Sequence, residues 1–242
     1  MEAEAIILPN GQTARLAATP TLTPPADQTP KSVPVKNCRA VAFFIGGAGD
    51  KESYYFAGPY KNITYAQDPF NQRIKKAGKE KFFKSYYLGY NEARGGDIKD
   101  FVVSQIPDKA TPVYIVGHSL GGWNGAHLSN ILSGQGYQIE MLITLDPVGE
   151  GALVWLGSDI YYKKPEPKSG YWINVRATPS IPDPSDSVAD FGERWTVQSG
   201  PDINHRMDTN HANAWDMFLK PIQDEVSASD YMYESIISYM SR

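Results

Sequence analysis

The chain has 242 residues, 41% hydrophobic and 21% charged, which suits one large α/β domain and is too short for two comfortable ones. Its formal charge of −4 gives no reason to expect a polyanionic partner, so nucleic-acid binding is set aside. A lone cysteine, Cys38, excludes an internal disulfide and a cysteine-built zinc site, and is expected to be buried near the start of a strand.

The first nine residues are acidic, and their apolar run is too short for a cleaved leader. No stretch approaches the ~20 apolar residues of a spanning helix. The expectation is a protein synthesised in the cytoplasm that, if exported, uses a leaderless route. Residues 6–16 hold Pro9-Asn10-Gly11-Gln12 between two short apolar runs, which suits either a short hairpin or a frayed tail. Prolines 20, 24, 25, 30 and 34 then mark an extended strap. The predicted organisation is a proline-rich extension over 1–36 and a compact domain over 37–242.

Arg39-Ala40-Val41-Ala42-Phe43-Phe44-Ile45 is a continuous apolar run of strand length, as in a strand buried on both faces. It ends in Gly46-Gly47-Ala48-Gly49-Asp50, a turn whose backbone can approach a ligand closely. A helix is predicted over 71–79 and a strand over 82–90. Gly95-Gly96-Asp97 then opens a helix with Asp97 as N-cap and Ile98, Phe101 and Val102 on one face.

The next stretch organises the rest. Val113-Tyr114-Ile115-Val116 runs into Gly117-His118-Ser119-Leu120-Gly121-Gly122, and a helical pattern over 122–133 follows at once, with Leu128, Ile131 and Leu132 inward. A serine at the tip of a strained strand-to-helix turn needs neighbours without side chains. The helix also aims its positive end at the place where an oxyanion would form.

A strand over 140–145 ends in Asp146-Pro147. Residues 149–170 are expected as an irregular surface excursion, 171–177 as a strand, and 178–193 as a long loop carrying Asp183, Asp186 and Asp190. A further strand is predicted over 194–198. A helix begins around 210–218, and Met232, Ile236 and Met240 make a last amphipathic helix. Strands alternating with helices predict an α/β fold, a mostly parallel sheet covered on both faces, with its site at the strands' carboxyl ends.

A serine hydroxyl becomes a useful nucleophile only when a base takes its proton, and an imidazole base needs a carboxylate to fix its tautomer. Of the four histidines, His118 sits in the turn itself and cannot swing round to Ser119, while His127 lies on the following helix. His211 and His205 remain, His211 being preferred because it opens a helix beside an aromatic run. The acid is Asp146, at a strand end before Pro147, in preference to the alternative, Asp186 in Ser185-Asp186-Ser187. Either could equally be an ordinary turn residue. Oxyanion N–H groups are expected from Leu120 and from Gly47 or Ala48. A metal site of Asp202, His205, Asp208 and His211 matches no helical ligand spacing, so neither metal nor cofactor is expected.

At these residues the chain resembles a lipase or esterase of the α/β-hydrolase superfamily. Gly117-His118-Ser119-Leu120-Gly121-Gly122 resembles the lipase form of the nucleophile elbow. Leu145-Asp146-Pro147 and Asn210-His211 resemble the acid and base positions of pancreatic-type lipases and phospholipases A1. The likeness is confined to short motifs over 39–220. Those lipases are disulfide-bonded, unlike this chain, and many other superfamily members place the acid one strand later, which favours Asp186. The resemblance implies an α/β-hydrolase fold with a small cap or none, and cleavage of carboxylic esters, of lipids above all, through an acyl-enzyme. The short domain also resembles small lipase-type effectors of bacterial type VI secretion, which implies contact with a membrane surface and a delivery or immunity partner. An acyltransferase, or a binding module on the same scaffold, would carry the same motifs. Tyr54-Tyr55-Phe56 and Val154-Trp155-Leu156 are expected either as pocket walls or as core.

Overall fold

The computed structural model of the chain describes residues 5–7, 13–15, 39–51 and 62–241. The chain divides into one unit over Met1–Lys31 and another over Ser32–Arg242. In the first, β1 (Ala5–Ile7) pairs antiparallel with β2 (Thr13–Arg15), Ala5 facing Arg15. Cys38, the aromatic run 54–56 and the proline-rich strap lie outside the described residues.

The second unit is built on a six-stranded sheet. Its strands are β3 (Ala40–Gly46), β4 (Phe83–Gly89), β5 (Val113–His118), β6 (Ile139–Leu145), β7 (Tyr171–Ala177) and β8 (Ile203–Met207). The order is β4-β3-β5-β6-β7-β8, and every pairing is parallel. A parallel sheet must be covered on both faces, and the side chains alternate accordingly. Ala40, Ala42 and Phe44 of β3 enter one apolar layer, and Val41, Phe43 and Ile45 enter the other.

The helices are α1 (Ala48–Lys51), α2 (Asn62–Lys76), α3 (Leu120–Gly134), α4 (Ala152–Gly157), α5 (Pro184–Phe191), α6 (Ala214–Leu219) and α7 (Ala228–Met240). Helices α2, α6 and α7 supply the first layer through Phe70, Met217, Phe218, Met232 and Ile236, among others. Helix α3 supplies the second through Trp123, Leu128 and Leu132, joined by Val154 of α4 and Ala189 of α5. A short antiparallel pair, β9 (Pro221–Gln223) and β10 (Val226–Ser227), leads into α7.

From β3 the chain moves to one side to form β4, then crosses back to form β5 on the other side. The carboxyl ends of β3 and β5 therefore flank the point where strand order reverses, where such sheets leave a crevice.

Several expectations need correction. The helix expected over 71–79 spans Asn62–Lys76, with Pro69 inside it. Ile63, Ala66, Phe70 and Ile74 form one buried stripe through the proline, and that burial outweighs the lost backbone bond. Asp97 precedes a π-turn over Ile98–Val102, but its own backbone is helical and its side chain makes no cap bond. The surface excursion contains α4.

The loop with Asp183, Asp186 and Asp190 is in large part α5. Asp183 accepts from the Ser185 N–H, Pro184 opens the first turn, and Asp186 accepts from the Asp183 N–H at 3.0 Å, a reciprocal cap. Residues 194–198 form no strand; only an isolated bridge joins Arg194 to Val148, and the sheet takes β8 instead. Trp195 is drawn off between Trp123 and Trp172, with ring centroids 5.8 and 5.6 Å away. The helix expected to open at Asn210 opens at Ala214, which leaves His211 in the preceding turn.

Among the described residues no helix is long and apolar enough to cross a membrane.

Candidate active site

Ser119 sits between β5 and α3 with φ 57° and ψ −126°, a backbone state that ordinary side chains avoid. Its N–H donates to the Leu145 carbonyl at 3.1 Å, and its carbonyl accepts from Val148 at 3.1 Å and Gly122 at 2.9 Å. The turn is so tight that the glycines around it face backbone. A Cβ on Gly121 would lie 2.3 Å from the Ile45 carbonyl oxygen. A Cβ on Gly47, the residue after β3, would instead meet a side chain, 2.6 Å from the Ser119 Cβ.

Asp146 follows β6 with φ 42°, a second strained position. Its N–H donates to the Val175 carbonyl at 2.7 Å, which locks the turn onto β7. The carboxylate is fully buried and accepts three bonds. The Ala177 N–H reaches Oδ1 at 3.2 Å, while Arg194 Nε at 2.8 Å and His211 Nδ1 at 2.7 Å share Oδ2. Burial pushes this carboxyl upward, but the bond from His211 and the charges of His211 and Arg194 overcome it and hold it below the ordinary value.

Because a carboxylate can only accept, it fixes the proton of neutral His211 on Nδ1. Nε2 is then free to accept from the Ser119 hydroxyl, and the two atoms lie 3.0 Å apart. Asp146, His211 and Ser119 thus form a continuous relay among buried groups.

The other candidates lie elsewhere. Asp186 does not meet the imidazole ring. Its Oδ1 accepts from the backbone N–H of His211 at 3.0 Å and from Arg194 Nη2 at 2.7 Å, and its Oδ2 accepts from Asn210 Nδ2 at 2.9 Å. His205 is on β8, opposite Val175, and it is His211 that reaches Ser119. His127, on α3, bonds the Lys163 carbonyl through Nε2 at 2.7 Å. Asp202 and Asp208 accept from the N–H groups of Trp172 and Ser180. No cluster of three or more His, Cys, Asp or Glu side chains among the described residues could hold a metal ion.

No family model matches the chain. Nor does any curated protein.

Leu120 opens α3, and the first N–H groups of a helix have no partner within it. Gly47 packs on Ser119 from the other side, and Ala48 lines the same cavity as Ser119 and Leu120. The cavity is about 30 Å³, with Val148, Val154, Val188, Ala189 and Phe191 as its apolar wall. Val154 and Trp155 belong to the core, whereas Leu156 is 87% exposed. A larger groove of about 410 Å³ lies near the amino ends of β6, β7 and β8, beside Lys168, Trp172 and Asp202. No nucleophile with a paired base lines that groove, so size and chemistry point to different places, and chemistry is the better guide.

Three supporting residues had little or no signal in the sequence. Asp50 accepts from the N–H groups of Asn62 at 3.0 Å and Ile63 at 3.1 Å, tying the β3 turn to the start of α2. His118 bonds the backbone of His211 rather than Ser119. Arg194 bridges both acid candidates; its only sequence mark is a place at the end of an acidic stretch.

Proposed function

We propose that the chain is a serine hydrolase that cleaves carboxylic esters, those of lipids in particular, and that its fold is that of the α/β-hydrolases. The single observation that carries this reading is the relay from Asp146 through His211 to Ser119, with separations of 2.7 and 3.0 Å. Those are hydrogen-bond distances for a base poised to take the serine proton.

In this reading the Ser119 oxygen attacks the ester carbonyl as its proton passes to His211 Nε2. The imidazolium is held by Asp146, and the carbonyl oxygen becomes an oxyanion met by the N–H of Leu120 and of Gly47 or Ala48. Collapse of this adduct expels the alcohol, which takes the proton from His211. Water, deprotonated by the same histidine, then releases the acid from Ser119. The apolar wall of Val154, Val188 and Phe191 beside Ser119 supports an acyl group as the part bound there. Phe191 and Leu156, exposed near that wall, favour a substrate presented at a lipid surface.

Hydrolysis is tested on a panel running from short acyl esters to triglycerides and phospholipids, with Ser119→Ala as control. The expected result is activity in the parent chain and its loss in the variant. Activity that survives Ser119→Ala would remove the nucleophile from the scheme, and transfer to an added alcohol in preference to water would make the enzyme an acyltransferase.

A further inference from the structure

Arg194 is placed where a simple serine–histidine–aspartate relay requires no cation. Its side chain is 7% exposed and touches three carboxylates. Nε donates to Asp146 Oδ2 at 2.8 Å and Nη2 to Asp186 Oδ1 at 2.7 Å, and Nη1 pairs with Asp190. The first carboxylate holds the His211 ring and the second holds the His211 backbone N–H. One guanidinium therefore joins both grips on the same histidine.

The segment that carries Arg194 is itself pinned. Trp195 donates its N–H to the Pro147 carbonyl at 2.7 Å, and the Glu193 carbonyl accepts from Gly149 and Glu150, each at 3.1 Å. Glu193 has φ 55°, so the chain is bent out of its preferred range immediately before the arginine.

We propose that Arg194 is a positioning residue of this site, which orients the Asp146 carboxylate so that it can hold His211 in register with Ser119. The proposal rests on the hydrolase reading above.

Two physical consequences follow. The planar fork of arginine fixes a direction as well as a charge: Nε on Oδ2, with the Ala177 N–H on Oδ1, opposes rotation of the Asp146 carboxylate away from His211. Burial works against the ionised carboxylate, and the Arg194 charge helps His211 to offset it. The titratable and charged groups that face Asp146 are His211 and Arg194 directly and, from β5, His118, which stays neutral. Asp186 and Asp190 of α5 act through the guanidinium.

The test compares Arg194→Gln and Arg194→Lys with the parent chain on an ester the parent hydrolyses, with kcat and KM measured across pH. Melting curves identify the folded variants. In Arg194→Gln, kcat is expected to fall about tenfold or more with KM little changed. The loss of activity at low pH should begin about one pH unit higher, because the buried carboxylate now protonates more readily. Arg194→Lys keeps the charge without the fork, so its low-pH limb should stay near that of the parent while kcat still falls.

A purely structural arginine would lower the melting temperature and leave kcat and the pH limb of the folded variant unchanged, and that result overturns the proposal. Should Arg194→Gln not fold, the lysine variant decides: parent-like kcat rejects the positioning role, and reduced kcat supports it. The downfield proton resonance of His211 Nδ1 gives a readout free of turnover. It should move in the folded substitution, and an unmoved resonance would speak against Arg194. A parent chain inactive on every ester would instead reject the hydrolase reading, and the two failures are thereby separable.

Discussion

His118 and His211 are joined ring to backbone: the Nε2–H of His118 donates to the carbonyl oxygen of His211 at 2.8 Å, and the two ring centroids lie 4.7 Å apart. His118 thus bonds not Ser119 but the residue whose ring reaches Ser119, and in the proposed scheme it holds the base rather than acting as one. Burial, then the neighbouring His211, pushes its pKa down to about 3, so it stays neutral wherever the enzyme would work. His118→Ala removes both the bond and the ring that backs His211. We expect kcat to fall by about 10- to 100-fold. The ratio of variant to parent should be constant from pH 5 to pH 9, because His118 does not titrate there. A ratio that changes through that range would show that His118 carries a proton in the reaction.

The two acidic candidates should separate by what they lose. Asp146→Asn leaves the imidazole with the wrong partner, and kcat should drop on the order of 10⁴-fold with the fold retained. Asp186→Asn keeps the ring contact but breaks a buried pair with Arg194 and weakens the anchor on the His211 N–H. Its main effect should be on stability, roughly 3 kcal/mol, with a smaller loss of kcat. Kinetics paired with denaturant unfolding would measure both, and a reversal of the two effects would exchange the roles.

How much of this could be read in advance depends on which forces decide each element. The stretch from Val113 to Pro147 was legible because each signal there is local. Apolar runs of strand length, a glycine-bounded turn and a helical apolar face all agree, and Ser119 and Asp146 sit where the strands end. Helix α5 was legible in principle, since Asp183-Pro184-Ser185-Asp186 is a capping box, but its polarity read as loop. Strand β8 was not. Ile203-Asn204-His205-Arg206-Met207 is polar because it lies at the sheet edge, and the more apolar Trp195 and Val197 went to side-chain packing instead. The choice of His211 over His205, and of Asp146 over Asp186, rests on contacts 65 and 92 residues apart in sequence, which no local pattern encodes. Arg194 belongs with these long-range facts.

Gly47 and Gly121 should respond differently to alanine. A Cβ on Gly121 would meet the backbone oxygens of Ile45 and Gly46 at 2.3 and 2.7 Å, and strand and helix cannot both yield. Gly121→Ala should lose more than about 3 kcal/mol of stability or fail to accumulate as folded protein. A Cβ on Gly47 would press on the Ser119 side chain, 2.6 Å from its Cβ and 3.1 Å from its Oγ. Gly47→Ala should therefore lose some stability and, where folded, lose activity by roughly 100-fold or more, the scale of a damaged oxyanion site. Melting curves beside esterase assays test the pair, and a fully active Gly47→Ala would remove this turn from the reaction.

Asp50 makes stability depend on pH. Burial pushes its carboxyl up to about 6, although the N–H groups of Ile63 and Asn62 pull the other way. Between the ordinary carboxyl range and that value the folded protein keeps the proton and the unfolded chain has lost it. Stability therefore falls as pH rises from about 4 to about 6, and the whole penalty is present above that. Measured against Asp50→Asn, the parent should lose on the order of 3 kcal/mol between pH 4 and pH 7. Urea unfolding at the two pH values checks this, and a difference independent of pH contradicts it.

An activated Ser119 should take a covalent label. The folded chain is treated with a fluorophosphonate and digested, and the modified residue is located by mass spectrometry. We predict a single adduct at Ser119, formed quickly in the parent, slowly in His211→Ala and Asp146→Asn, and not at all after unfolding. No adduct at Ser119 in the folded parent, or an adduct formed equally well without His211, would mean that His211 does not activate Ser119.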